Sequence, residues 1–173
     1  MDINSPTEKD LNIIEKQINR KPHKVIDIPK RCSYGYPIVI KSYPVKDNEP
    51  FPTLYWLTCP HLIKAVGKLE SLGKIKKWEE ELKNNEELLN SYLNAHKEEQ
   101  EERLKILDNN TEEWIKNALK KVGIGGIRNF ETIKCLHLHL ASYLGGTPNP
   151  IGERVWREIE KEAECPNCIC CLL

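Results

Sequence analysis

"TLYWLTCPHLIKAVGKLESLG", residues 53–73, changes its hydrophobic period in mid-stretch. Up to Thr58 the run is β-branched and aromatic, the composition of a strand; after Cys59-Pro60, Leu62, Val66 and Leu69 recur at helical spacing until Gly73. A strand feeding straight into a helix divides the chain into two unlike parts. Upstream, seven of the eleven prolines fall between Pro22 and Pro60, which excludes long helices and favours short strands and turns. "YPIVIKSY" (36–43) reads as a second strand, separated from "TLYWLTC" by the turn-rich "PVKDNEPFP" (44–52), and the two are able to pair. Further back, Ser5-Pro6-Thr7-Glu8 has capping-box spacing with Leu11, Ile14 and Ile18 behind it, predicting a helix over about residues 6–20.

Downstream the pattern is helical. Ile75, Trp78 and Leu82 make one stripe; after Asn84-Asn85, Leu89, Leu93, His96, Arg103 and Leu107 make another, the rest of residues 79–105 being a mixed-charge, solvated face. Thr111 is positioned to cap a helix with Trp114, Ala118 and Leu119 inward. The glycine loop "VGIGGIRNF" (122–130) leads to "KCLHLHLASYLGG" (134–146), and Asn149-Pro150 opens a last helix carrying Ile151, Val155 and Ile159. The expected fold is α+β: a mainly helical domain packed on a small two- or three-stranded N-terminal sheet, with Trp56, Trp78, Trp114 and Trp156 helping to fill the core. Residues 1–29 read as an N-terminal helix and linker, 30–164 as one domain and 165–173 as a cysteine-rich tail.

The 173 residues suit one compact unit, and 26 basic against 26 acidic side chains leave no overall field to draw in nucleic acid. No apolar run approaches the roughly 18 residues a membrane span needs. With a polar, acidic amino terminus, a soluble, cytoplasmic protein is expected. In that compartment seven cysteines read as metal ligands or redox groups rather than as a disulfide framework.

Chemistry concentrates in a few places. In "KCLHLHL", Cys135 and His139 share a helical face while His137 points almost opposite. A Cys135-x-His137 pair forms only if Cys135 sits at or before the first turn, which a cap at Thr132 would oppose. Cys32 lies at a turn in "RCSYGYP"; Cys59 sits at a helix amino terminus, where a thiol can be activated as a nucleophile. The tail "CPNCICC" offers Cys165, Cys168, Cys170 and Cys171 at chelating spacing, and its "CCLL" ending fits a prenylation box by pattern. His96 on its inward stripe can serve as ligand or base. Gly125, Gly126 and Arg128 can present amides and charge to an anion, although an ordinary interhelix turn has the same composition.

The blocks "RCSYGYP", "PFPTLYWLTCP", "LESLG", "AHKEEQEER", "GIGG", "KCLHLH" and "NPIGE", in this order over about residues 30–157, resemble the bacterial family known as domain of unknown function 501. The resemblance marks Cys32, Cys59, His96, Arg103, Cys135, His137, Asn149 and Gly152 as motif residues and implies Cys32, Cys59, Cys135 and His137 as a common metal-ligand set. His139, His96, Cys165 and Cys168 are possible additional ligands. Many members carry a cysteine where this chain has Tyr34 and a histidine where it has Ser142. Three functions are therefore expected in turn. The first is binding of zinc or an iron–sulfur cluster. The second is a cysteine-dependent enzyme acting on a small phosphorylated or acyl compound, with Cys59 or Cys135 as nucleophile and His96 or His137 as base. The third, implied by the gene neighbourhoods of the family, is an adaptor with a protein partner in cell division or polyphosphate metabolism.

Overall fold

The computed structural model describes residues 5–173. Both expected strands form, and they pair antiparallel: β2 (Pro37–Ser42) lies beside β5 (Tyr55–Leu57), with Val39 opposite Leu57 and Lys41 opposite Tyr55. A third strand, β1 (Val25–Arg31), takes the other edge of β2, giving the order β1-β2-β5. β1 carries Pro29, which an edge strand tolerates because its missing N–H can face away from the ladder, and the β1–β2 register shifts along its length. Between β2 and β5, β3 (Val45–Lys46) and β4 (Glu49–Pro50) form a small hairpin, its turn residues Asp47 and Asn48 both at positive φ (51° and 59°). β2 is covered on both faces, which accounts for its uninterrupted Ile38-Val39-Ile40 run. Ile40 packs with Ile28 and with Ile14 of α1 (Glu8–Ile18), while Ile38 and Val39 belong to the main core.

The main core is helical. α2 (Pro60–Ser71) contributes Leu62, Val66 and Leu69, α3 (Lys74–Asn84) Trp78 and Leu82, α6 (Leu136–Leu144) Leu136 and Leu140, and α7 (Pro150–Ile159) Ile151, Val155 and Ile159. α6 and α7 lie so close that a Cβ on Gly152 would come within 2.1 Å of the His139 carbonyl, so only glycine fits there. Asn149 caps α7 as its sequence suggests, accepting from the amides of Ile151 and Gly152. No helix among the described residues is long and apolar enough to cross a membrane.

Several local expectations change. The first helix is capped by Thr7, not Ser5: Thr7 and Asp10 exchange capping-box hydrogen bonds, and the Asp10 carboxylate is also held by Arg31 at the end of β1, a partner Glu8 lacks. α4 (Glu86–Lys105) is turned from its apolar stripe: Leu93 is 36% exposed, while Tyr92, Ala95, His96, Glu99 and Arg103 are buried. Glu99 therefore does not belong to the solvated face. α5 (Glu113–Lys120) begins after Glu112 rather than at Thr111 and buries Ile115 and Leu119, leaving Trp114 47% exposed. Of the four tryptophans only Trp78 is fully in the core; Trp56 and Trp156 are half-buried against it.

Arg103, on the expected stripe, anchors α4. Its guanidinium, with no exposed surface, donates to the carbonyls of Pro52 (2.7 Å), Gly123 (2.8 Å), Leu119 (3.2 Å) and Val122 (2.5 Å). Three of these carbonyls belong to the end of α5 and the turn after it, the groups a helix terminus leaves without partners. Arg103→Met keeps the volume but strands these acceptors, at about 1–3 kcal/mol for each that finds no water. Urea denaturation should show a loss of about 4 kcal/mol or more; a loss under about 1 kcal/mol would place the clamp outside the stability of the fold.

Candidate functional site

α6 starts one residue after Cys135, whose backbone is still extended (φ −161°, ψ 154°). Thr132 does not cap it; the Thr132 hydroxyl donates to the Asn129 carbonyl instead. The first turn is capped from another helix: Glu70, in the last turn of α2, accepts from the Leu136 amide at 2.7 Å, a carboxylate placed at the positive end of a helix. His137 then falls between Glu70 and the body of α2. Its Nδ1 lies 3.1 Å from Glu70 Oε1, and its Nε2 lies 3.0 Å from the Ile63 carbonyl. With the helix starting so late, Cys135 and His137 are on the same side. The Cys135 sulfur, a His137 ring nitrogen and a Glu70 oxygen all lie within 4.8 Å of one another, and among the described residues this is the one group of three or more such donors so gathered.

The three side chains are half-buried, reachable from solvent yet shielded. His137 holds its proton up to about 9: its hydrogen bond with Cys135 is the largest cause, burial works against it, and the Ile63 carbonyl and the Glu70 charge add to the rise. Two kinds of chemistry are open to this arrangement. Because Ile63 can take the Nε2–H, Nδ1 is left to share an ion with sulfur and carboxylate, the usual orientation of a ligating histidine. Alternatively Cys135, at a helix amino terminus beside a protonated imidazole, has the setting of a reactive thiol, with Glu70 orienting the ring.

The other expected ligands lie elsewhere. Cys32, at the β1–β2 turn, and Cys59, the residue before α2, line a cleft covered by the C-terminal tail together with Cys165, Cys168 and Cys170. Cys168 is joined to Cys171 in a disulfide. His139 is fully buried, with Nε2 3.1 Å from the Tyr92 hydroxyl and Nδ1 3.0 Å from the Asn149 amide nitrogen. His96 is buried against Phe130 and Tyr92, its Nδ1 accepting from the Ile124 amide at 3.0 Å. The glycine loop is thus drawn in around His96, and Gly123 is close enough that a Cβ there would meet its Nδ1 at 2.1 Å. The amides of Gly123, Ile124, Gly126 and Ile127 are all bonded within the protein, while Arg128 is exposed beside Trp114 and Lys121.

Glu70 is the residue that sequence reasoning missed. It sits in the "LESLG" block among many acidic residues, and its role is set by a helix that begins 66 positions away, for which a single sequence gives no signal. Tyr92 and Glu99 were likewise hidden in the charged stretch; Glu99 accepts from the Ser142 hydroxyl at 2.6 Å inside the protein.

Residues 28–157 match the model of a family described as "Protein of unknown function (DUF501)", and the chain belongs to that family. No curated protein and no solved structure matches it.

The buried groups of α4 and α6 set a pH dependence. Burial, helped at His96 by the Arg103 charge, pushes His96 down to about 4 and His139 to about 3, from an ordinary 6.5. Below pH 6.5 the unfolded chain takes up two protons that the folded chain refuses, so both histidines lower stability as pH falls. Burial pushes Glu99 the other way, from 4.5 up to about 7, although its bond with Ser142 and the charge of Arg103 oppose the rise. Its contribution is present below pH 4.5 and lost as pH rises to 7. Two protons against one leave stability rising with pH between about 4.5 and 6.5, by roughly 1.4 kcal/mol per unit. Urea denaturation at pH 5, 5.5 and 6 should show this slope, and Glu99→Gln should roughly double it; a slope unchanged by that substitution would mean Glu99 titrates normally.

Proposed function

We propose that this family member binds one zinc ion through Glu70, Cys135 and His137. The observation that carries the reading is the convergence of one oxygen, one nitrogen and one sulfur donor from two helices within 4.8 Å. Zinc accepts this mixed set, and three protein ligands leave its fourth tetrahedral position for water or a substrate, as in catalytic rather than structural sites. An iron–sulfur cluster is held chiefly by several cysteine thiolates, and this group has a single sulfur, which favours zinc of the two metals expected from the sequence. The hydrogen bond from Nε2 to Ile63 and the bond from Leu136 to Glu70 would hold two ligands in place before an ion arrives.

A second reading uses the same residues without metal. The bond between Cys135 and His137, with Glu70 on the ring, suits a thiol nucleophile and its base acting on an acyl or phosphoryl group. An adaptor role with a protein partner rests on family resemblance, since no surface of the molecule specifies it.

Metal analysis of the protein purified without oxygen decides between the first two. Cys135→Ser and Glu70→Gln should each hold about one equivalent of zinc less than the wild type, the latter keeping an oxygen for the Leu136 amide. Chelation should lower the melting temperature of the wild type more than that of either variant. Metal-free wild-type protein whose Cys135 alone alkylates rapidly below pH 7 would instead establish the thiol reading.

A further inference from the structure

The cleft under the tail holds the largest gathering of sulfur in the molecule, and nothing in the zinc reading uses it. Four unpaired thiols line it: Cys32 from the β1–β2 turn, Cys59 from the start of α2, and Cys165 and Cys170 from the tail. Cys168 and Cys171, joined to each other, are outside the set. We propose that the tail closes a second site, in which Cys32, Cys59, Cys165 and Cys170 bind a thiophilic cation of the zinc and cadmium class.

Three features support it besides the sulfur count. First, hydrogen-bond donors already face three of the sulfurs. The amides of His61 and Leu62, at the open amino terminus of α2, address Cys59; the Ile169 amide lies 3.2 Å from Cys165 Sγ; and Gln17 Nε2 lies 3.2 Å from Cys170 Sγ. Donors aimed at sulfur favour the thiolate, the form that binds metal, and so work against the burial that raises the Cys59 and Cys170 thiols. Second, Gln17 is itself buried, 8% exposed, with its side-chain oxygen unpartnered. Burying an amide from α1 to reach the tail is costly unless the contact is built; the same nitrogen also bonds the Pro37 carbonyl at 2.9 Å, which fixes it at the cleft. Third, the enclosed space is about 20 Å³, room for one small atom, and its remaining walls include Tyr34, Tyr36, Ile38 and Ile169 with no carboxylate among them. A cavity walled by sulfur, aromatic and aliphatic groups and the His61 imidazole, without a carboxylate, favours soft cations over hard ones.

Without an ion these sulfurs are not drawn together as the Glu70 group is. Cys32 and Cys59 are held by the turn after β1 and by the start of α2, so the tail, which ends in a short 3₁₀ segment (Ile169–Leu172), must supply the movement.

Cadmium titration of the full chain, prepared without oxygen and without added reductant so that the Cys168–Cys171 bond persists, tests the proposal through the ultraviolet sulfur-to-cadmium band. In a Cys135→Ser background, which removes the only sulfur of the first site, the band should remain and saturate at one equivalent. Adding Cys165→Ser or Cys170→Ser should abolish or sharply weaken it, with the circular dichroism spectrum unchanged. A band lost in Cys135→Ser alone overturns this proposal and leaves the zinc reading standing. A band that survives in Cys135→Ser and is untouched by either tail substitution also overturns it.

Discussion

A guanidinium with no exposed surface is the constraint around which this molecule is arranged. Arg103 cannot give up its charge, and burial of an unpaired charge is prohibitive, so the chain has to bring acceptors to it. It brings four carbonyls from the β4–β5 connection, the end of α5 and the glycine loop. Pro52 is far in sequence from residues 119–123, and the arginine ties the two segments together. The glycine at 123 follows from the same arrangement, because a loop pulled against α4 passes too close to His96 for a side chain.

Arg103 also fixes the character of the neighbouring face. One turn earlier on α4 is Glu99, buried, bonded to Ser142 of α6, and inclined to stay protonated up to about 7 by burial. Next come His96, bonded to the loop, and Tyr92, bonded to His139 and to the Thr132 carbonyl. His139 in turn meets Asn149, the cap of α7. A continuous polar seam thus runs from α4 through α6 to α7. It orients α6 more narrowly than apolar packing would, because hydrogen bonds fix direction as well as distance. The outcome at the other side of α6 is that Cys135 and His137 are presented to Glu70 of α2. Of the motif residues implied by the family resemblance, His96, Arg103, Asn149 and Gly152 build this seam, and Cys135 and His137 lie at its open end.

The fold was legible where apolar period was the physical cause of structure. The switch after Thr58, the Ile38-Val39-Ile40 strand and the stripe of α7 were read from such patterns, and the α+β arrangement followed. Reading failed where polar contacts between distant residues decided. β1 was masked by Pro29 and by its charged residues, which an edge strand accommodates. α4 keeps His96 and Arg103 inward as its stripe suggests, but it is turned enough to bury Glu99 and expose Leu93, and a hydrophobic stripe assigns a carboxylate to solvent. At the candidate site, the requirement that Cys135 precede the helix for a Cys135–His137 pair was readable from spacing. That it does precede the helix depends on Glu70 capping α6 from α2, a contact between separate elements that local propensity does not encode.

α2 also explains why the cysteines fall into two groups. Cys59 lies just before its first turn and Glu70 in its last, eleven positions apart, which at about 1.5 Å per residue is roughly 16 Å along the axis. A glutamate side chain leans back toward the helix amino terminus, which shortens this by a few ångströms. His137 bridges part of the distance by bonding the Ile63 carbonyl, but in doing so it places Nε2 against the backbone and leaves Nδ1 turned to Glu70. The same hydrogen bond that gives the histidine its orientation therefore turns its free donor atom away from Cys59. As long as α2 remains a straight helix with both ends engaged, the thiols at its start and the donors at its end stay too far apart to meet on one ion.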